Sequence, residues 1–140
     1  METTEKETFI KENKDLQKYI NEFNKDVEVS IGNLREKSLM MSALRAKWLS
    51  YYMKEKENYQ RIVTMKSEII KSKADKSNSS VLKLKSEEAI ANSDERVKKL
   101  NILQNKTKEN LDYLERAMNI LNDMVWQIKN TVNILQLENS

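Results

Sequence analysis

Apolar side chains recur along most of this chain at intervals of three and four residues, the spacing that places them on one face of an α-helix. The pattern predicts three long amphipathic helices, over residues 5–26, 30–75 and 86–137. The chain has no proline and a single glycine, so helix-breaking residues are almost absent. An all-α fold follows.

Two interruptions of the pattern mark the ends of these helices. The β-branched residues Val27 and Val29 break the period after the first helix. Ser30 can cap the second helix, with Gly32 in its first turn. Residues 76–80 are rich in serine and asparagine, which favour turns, and predict the linker before the third helix.

The second helix carries a broad apolar face and would be about 65 Å long. A compact domain cannot cover such a helix along its whole length, so we expect its far end to meet another subunit, a ligand or solvent. Its aromatic residues could stack on nucleic acid bases, but their helical spacing favours a role in a core or an interface. They are Trp48, Tyr51, Tyr52 and Tyr59.

The third helix is predicted to begin with Ser86 as its N-cap, ahead of Glu87 and Glu88, whose carboxylates suit a first turn. Apolar residues then alternate at intervals of three and four, as in a coiled-coil seam. The predicted oligomerisation residues are Leu111, Leu114, Met118, Leu121, Val125, Ile128, Val132 and Leu135. In the same register, Val97 and Leu100 extend the seam backward.

Further apolar residues beside this seam favour a ring-type homo-oligomer or a multimeric helical bundle over a two-stranded coil, because a dimer needs only the narrow stripe. These residues are Tyr113, Ile120, Trp126 and Ile134. The composition, 34% charged and 39% hydrophobic, is also too polar for one large core, which favours self-association. The alternative is that the stripe packs into the core of its own chain.

The residue types that are missing exclude several kinds of chemistry. Without cysteine and histidine there is no disulfide, no thiol nucleophile, no Cys/His zinc site and no imidazole base. The sequence has no nucleotide-binding loop or nucleophile elbow, so we expect neither an enzyme nor a cofactor. No apolar run approaches the ~20 residues that span a bilayer, and no signal peptide is evident, so we expect a cytoplasmic protein.

Positive charge is concentrated in residues 61–85, which carry a net charge of +5, whereas residues 1–60 sum to zero. A polyanion is the natural partner for such a cluster, and binding should weaken steeply with salt. The alternatives are a solvated helix face and an anionic membrane surface, although interfacial aromatics are lacking here. The predicted DNA-binding residues are Arg61, Lys66, Lys71, Lys73 and Lys76.

The middle of the chain resembles the UvsY family, the recombination mediators of T-even-type phages. The resemblance rests on four segments that align without a gap: Lys25-Asp26-Val27, then Leu34, then Lys47-Trp48-Leu49, then Arg61-Ile62. After a change in linker length, Lys85-Ser86-Glu87 and the stretch from Asp94 to Val97 also fit. The resemblance extends over residues 16–137.

This resemblance implies a non-enzymatic assembly factor that binds single-stranded DNA as a ring-like hexamer or heptamer, held together through C-terminal helices. Such a factor helps a RecA-like recombinase, UvsX, to displace the phage single-stranded DNA-binding protein. A Lys-x-Arg pair associated with DNA contact in the family corresponds to Lys71 and Lys73. Lysine keeps the charge but lacks the planar fork of arginine.

The resulting hypothesis divides the chain into N-terminal helices with a basic single-stranded DNA-binding region, residues 1–85, and a C-terminal oligomerisation helix, residues 86–140. The function it predicts is that of a recombination mediator in the cytoplasm of the host cell. The rival hypothesis is a structural coiled-coil adaptor or phage assembly scaffold that binds no nucleic acid.

Overall fold

The computed structural model describes residues 13–75, 87, 89–90, 92 and 94–139. It contains three α-helices, which are α1 (Lys14–Asp26), α2 (Leu34–Ala74) and α3 (Glu95–Glu138), with a short 3-10 helix (Ile31–Asn33) ahead of α2. The described part of the chain has no strand. The predicted all-α class with three long helices is therefore confirmed, while residues 5–12 and the linker at 76–80 lie outside the described residues.

Helix α1 begins and ends where local hydrogen bonds replace the helical ones. The Oδ1 atom of Asn13 accepts a hydrogen bond from the backbone N–H of Leu16 at 3.2 Å and so caps the first turn. At the other end, the N–H of Val27 donates to the carbonyl oxygen of Phe23 at 3.0 Å. The predicted break in helical period at Val27 is confirmed.

The connector to α2 is held by polar side chains. The backbone N–H of Ser30 donates to Oδ1 of Asn33 at 2.7 Å, and the Asn33 amide donates to the carbonyl oxygen of Glu28 at 3.1 Å. Ser30 is thus the N-cap of the 3-10 helix that leads into α2, with Gly32 inside it. The predicted cap is confirmed, although the first turn is 3-10 rather than α.

Helix α3 begins later than the sequence pattern predicts. Its N-cap is Asp94, whose Oδ1 accepts the backbone N–H groups of Arg96 at 2.8 Å and Val97 at 3.3 Å. Glu87, Ala89, Ile90 and Asn92 are helical, as predicted, but the predicted continuity is wrong, because Asp94 is non-helical and the long helix starts at Glu95. Ser86 itself lies outside the described residues.

The chain forms two compact units. The terminal unit consists of residues 1–53 and 110–140, and the middle unit consists of residues 54–109. Helices α2 and α3 each contribute to both units, so segments that are distant in sequence meet within each one.

The terminal unit has an aromatic and aliphatic core between its helices. Trp48 is fully buried, and the rings of Phe23 and Trp48 meet edge to face with their centroids 5.1 Å apart. Tyr51 contacts Trp48 in the same way at 5.2 Å. The buried members of this core are Phe23, Leu34, Met41, Leu44, Trp48, Leu114, Ala117, Leu121 and Ile128. The expectation that the aromatic residues of the second helix serve packing is confirmed for Trp48.

The predicted seam of the third helix takes part in this core. Leu114, Leu121 and Ile128, spaced by seven residues, are buried inside the chain's own terminal unit. The intervening seam residues Met118, Val125, Val132 and Leu135 pack against that core while remaining half-buried. Leu111 is also half-buried. For Leu114, Leu121 and Ile128, the alternative prediction, that the stripe packs into the core of its own chain, is therefore the correct one.

The middle unit covers the far half of α2, which corrects the expectation that this end must meet another subunit, a ligand or solvent. Ala74 near the end of α2 and Val97 near the start of α3 are both fully buried. Leu100 and Thr107 of α3 are buried as well. The backward extension of the seam is thus used for packing within the chain.

Candidate nucleic-acid interface

The positive charge of the chain belongs to the middle unit. Residues 54–109 contain 14 basic and 9 acidic residues, a net charge of +5, whereas the terminal unit contains 11 basic and 13 acidic residues, a net charge of −2. The unit includes the predicted basic region at 61–85 together with the first turns of α3. A charge separation of this kind directs a polyanion to the middle unit.

Three side-chain contacts join α2 to α3 within this unit and fix their antiparallel pairing. Lys66 Nζ donates to Gln104 Oε1 at 2.7 Å, and Gln104 Nε2 donates to the hydroxyl of Tyr59 at 3.1 Å. Further along, the ammonium of Lys73 forms an ion pair with the carboxylate of Asp94. Two of the predicted DNA-binding lysines are therefore occupied by contacts that hold the unit together.

The five predicted DNA-binding residues do not lie on one face. Lys66 and Lys73 are seven residues apart and face α3. Arg61 and Lys71 are exposed and form no ion pair with another described residue. Lys76 lies outside the described residues. The structure thus separates the set into two lysines that contact α3 or its N-cap, of which Lys73 keeps 46% of its side chain exposed, and two exposed basic groups without such a contact.

Asp94 is the most perturbed carboxyl group of this region. Its side chain is 4% exposed, and its Oδ2 atom contacts Lys73 and, at 3.5 Å, the Arg96 guanidinium. The hydrogen bond from Lys73 holds the pKa of the Asp94 carboxyl well below its usual range, against the opposing effect of burial, and the bonds from Arg96 and Val97 add to it. Asp94 therefore stays ionised, caps α3 and holds the end of α2.

The lowered pKa of Asp94 predicts a stability contribution that disappears in acid. Because the folded-state pKa lies below the ordinary value of 3.8, the contribution is complete above that pH and is lost progressively as the pH falls below it. Asp94→Asn keeps an N-cap side chain but lacks the charge. We expect this variant to melt below the parent at neutral pH, with a gap that narrows below about pH 4. Thermal melts by circular dichroism measure the gap, and a gap that is constant with pH contradicts the prediction.

Three of the residues that carry the family resemblance, Asp26, Lys47 and Trp48, form a polar cluster in the terminal unit with Glu22 and Tyr51. One carboxylate oxygen of Asp26 accepts hydrogen bonds from Lys47 Nζ at 2.8 Å and from Trp48 Nε1 at 3.0 Å. Lys47 also pairs with Glu22 at 2.8 Å, and Glu22 accepts a hydrogen bond from the Tyr51 hydroxyl at 3.0 Å. The spacing from Lys-Asp-Val to Lys-Trp-Leu therefore has a structural basis in this chain, because it brings Asp26 to Lys47 and Trp48.

Two pKa values reflect this cluster. Burial alone would lower the pKa of Lys47, but the hydrogen bonds to Asp26 and Glu22 outweigh it, and the pKa is raised. Burial raises the pKa of Tyr51, and its hydrogen bond to Glu22 adds to the effect. Both groups keep their ordinary protonation near neutral pH, so the cluster is a fixed structural feature.

Sequence reasoning missed the basic residues at the start of α3. Five of them lie in residues 95–109, but residues 86–140 together sum to −2, which concealed them. Counting charge in shorter windows would have found them. They are Arg96, Lys98, Lys99, Lys106 and Lys108.

Comparison with known protein families gives a match over most of the chain. The family model described as "Recombination, repair and ssDNA binding protein UvsY" matches residues 22–140. No curated protein and no solved structure gives a significant match. Along the described helices, no segment is long and apolar enough to cross a membrane.

Proposed function

Because this chain belongs to the UvsY family of recombination, repair and single-stranded DNA-binding proteins, we propose that it is a recombination mediator that acts without catalysis. It binds single-stranded DNA as a homo-oligomer and promotes the loading of a RecA-like recombinase of the UvsX type. In doing so it displaces the phage single-stranded DNA-binding protein. We place this activity in the cytoplasm of the host cell.

The observation that carries the proposal is the net charge of +5 on residues 54–109, beside a terminal unit of net charge −2. Lysine and arginine side chains on the middle unit attract the sugar-phosphate backbone and release its counterions. Backbone contacts of this type carry no sequence information, as a mediator that acts along any strand requires. Binding the DNA backbone in this way would weaken the binding of the phage single-stranded DNA-binding protein and leave the bases available to a recombinase.

Assembly of several copies would multiply this attraction. One unit with a charge of +5 makes few phosphate contacts, but copies joined together bind the same strand with avidity. Exposed apolar side chains on α3 are available for such an assembly, since large exposed apolar residues often mark protein interfaces. They include Ile120, Trp126, Ile134 and Leu137, of which Trp126 is 65% exposed. We propose a hexamer or heptamer closed through C-terminal helices.

The proposed division of labour keeps DNA binding mainly in residues 1–85 and assembly mainly in residues 86–140. Among the five DNA-binding residues proposed, Arg61 and Lys71 are exposed and available to phosphates. Lys73 can reach a phosphate only if it gives up or shares its ion pair with Asp94. The expected contribution of Lys71 is therefore the larger of the two family-type positions.

Fluorescence anisotropy with a labelled single-stranded oligonucleotide tests the proposal. We expect the double variant Lys71→Ala/Lys73→Ala to bind more weakly than the parent and to lower the slope of log K against log salt by about 1.4, or about 0.7 for each lost phosphate contact. The matched control is Lys14→Ala/Lys18→Ala, which removes two exposed lysines from α1 in the terminal unit. We expect the control to keep the parent's slope.

Two results would contradict parts of the proposal. If the double variant binds like the parent, the assignment of Lys71 and Lys73 is wrong. If the parent shows no salt-sensitive binding at micromolar concentration, the rival function of a structural adaptor or assembly scaffold takes its place. Binding to anionic liposomes instead would indicate a membrane-surface protein.

A further inference from the structure

A groove runs between α2 and α3 in the middle unit. Its volume is about 250 Å³, and it is open to solvent along one side. Four lining residues belong to α2 and one to α3. They are Met65, Glu68, Ile69, Ser72 and Arg96.

The α2 side of this groove continues to a basic residue. Arg61, Met65, Glu68 and Ser72 are spaced by four, three and four residues, so they follow one line along the helix. Met65 is 44% exposed and lies between the Arg61 position and the acidic Glu68. Arg61 is exposed at the far end of this line.

The α3 side of the groove carries more positive charge. Arg96, Lys99, Leu103 and Lys106 are spaced by three, four and three residues and therefore share one line along the helix. Arg96 lines the groove, and the line continues from it along α3. The eleven residues from Arg96 to Lys106 are separated by ten helical rises and span about 15 Å, a length that several successive phosphates of one strand would fill.

The antiparallel pairing of the two helices brings the two lines together. The contacts of Lys73 with Asp94 and of Lys66 with Gln104 fix the register. In this register Arg61 lies at about the level of Lys106. Basic side chains therefore flank the groove at both ends.

Arg96 remains able to bind a ligand despite its contact with Asp94. The guanidinium has five N–H donors, and only its Nη2 atom contacts the Asp94 carboxylate, at 3.5 Å. The Arg96 side chain is 62% exposed. The guanidinium can thus keep its contact with Asp94 and present its other N–H donors to a phosphate.

We infer that the single-stranded DNA-binding site extends along this groove onto the third helix, so that Arg96, Lys99 and Lys106 hold the phosphodiester backbone together with Arg61 of the proposed DNA-binding set. The inference rests on the proposed function and adds a site on the third helix, in the region to which the sequence pattern assigns only assembly. The exposed apolar side chains of Met65 and Leu103 offer contact area to sugars and base faces. The proposed charged contacts go to phosphates and not to base edges, so binding is independent of base sequence.

The decisive experiment compares two triple variants with the same change in net charge. The site variant is Arg96→Gln/Lys99→Gln/Lys106→Gln. The control is Lys98→Gln/Lys108→Gln/Lys129→Gln, which removes three exposed lysines, two from other faces of the same helical segment and one from the terminal unit. Binding to a labelled single-stranded oligonucleotide is measured by anisotropy across a salt series, after circular dichroism has compared the two folds.

We expect the site variant to lose affinity at least about tenfold and to lower the salt slope by about 2, which corresponds to three lost phosphate contacts. The control should keep the parent's slope. A single Glu68→Gln change removes the one acidic group that lines the groove and should strengthen binding, an effect that misfolding cannot imitate.

The outcomes separate this inference from the proposed function. If the parent binds with a steep salt dependence but the site variant matches the control, or if Glu68→Gln leaves the affinity unchanged, the groove is not the site and the proposed function stands. If the parent does not bind the oligonucleotide at all, both are overturned.

Discussion

Replacing Leu121 with lysine should strongly destabilise the terminal unit and not merely separate copies of the chain. The side chain of Leu121 is fully buried in the core of that unit. The substitution removes a large apolar group and places an unpaired charge among apolar residues, which together cost at least about 3–5 kcal/mol. Small domains are stabilised by only about 5–15 kcal/mol in total, so the loss is a large part of the whole. Thermal unfolding followed by circular dichroism measures it.

The matched control for this change is Trp126→Lys in the same helix. Trp126 is 65% exposed, so a lysine there meets solvent and should alter the folding free energy by no more than about 0.5 kcal/mol. If the proposed assembly uses the exposed side of α3, this control lowers the mass in light scattering while the melting temperature holds. A Leu121→Lys variant that becomes a monomer but keeps the parent's melting temperature would contradict the burial described above and favour a seam between copies.

Truncating Trp48 should have an effect of similar size. Trp48→Ala removes the largest fully buried side chain, leaves a cavity beside Phe23 and deprives Asp26 of its indole N–H donor. The cavity and lost burial cost about 3–5 kcal/mol. Urea unfolding of the parent and the variant gives the difference in folding free energy, provided that the free energy of unfolding depends on urea concentration with the same slope in both.

The variant Trp48→Phe distinguishes the contribution of aromatic packing from that of the hydrogen bond to Asp26. Phenylalanine keeps an aromatic group against Phe23 but cannot donate to Asp26, which then retains Lys47 as a donor. We expect a loss of about 1.5–3 kcal/mol, as for a hydrogen bond to a charged group. Equal losses for the alanine and phenylalanine variants would show that the hydrogen bond alone, and not the packing, explains the position of Trp48.

The helices could be predicted from the sequence because local signals agreed with the periodicity. Val27 ends the first apolar stripe and Ser30 offers a cap, and the structure ends α1 and begins the 3-10 helix at these points. The start of α3 was harder to predict. Ser86 and the two glutamates after it look like a helix start, but Asp94 forms the cap, and its tertiary ion pair with Lys73 cannot be read from local sequence.

The partner of an apolar stripe could not be predicted from its spacing. A heptad pattern shows that a helix buries one face but not what covers that face. The spacing of Leu114 from its neighbours in the stripe is the same in a coiled coil between copies and in a core formed with Phe23 and Trp48. The sequence likewise predicted which region carries an excess of positive charge, but not which basic side chains share one surface. Lys66 and Lys73 contact Gln104 and Asp94, whereas Arg96 joins the basic region only because the fold brings α3 beside α2.

The central claim is that several copies of this chain together bind single-stranded DNA through charge. Light scattering of the purified protein, with and without a single-stranded oligonucleotide and at low and high salt, tests it most directly. We predict a mass that is a multiple of 16.5 kDa, that increases by the mass of the oligonucleotide at low salt, and that loses this increase at high salt. A mass of one chain that does not change with the oligonucleotide even at low salt would contradict the claim.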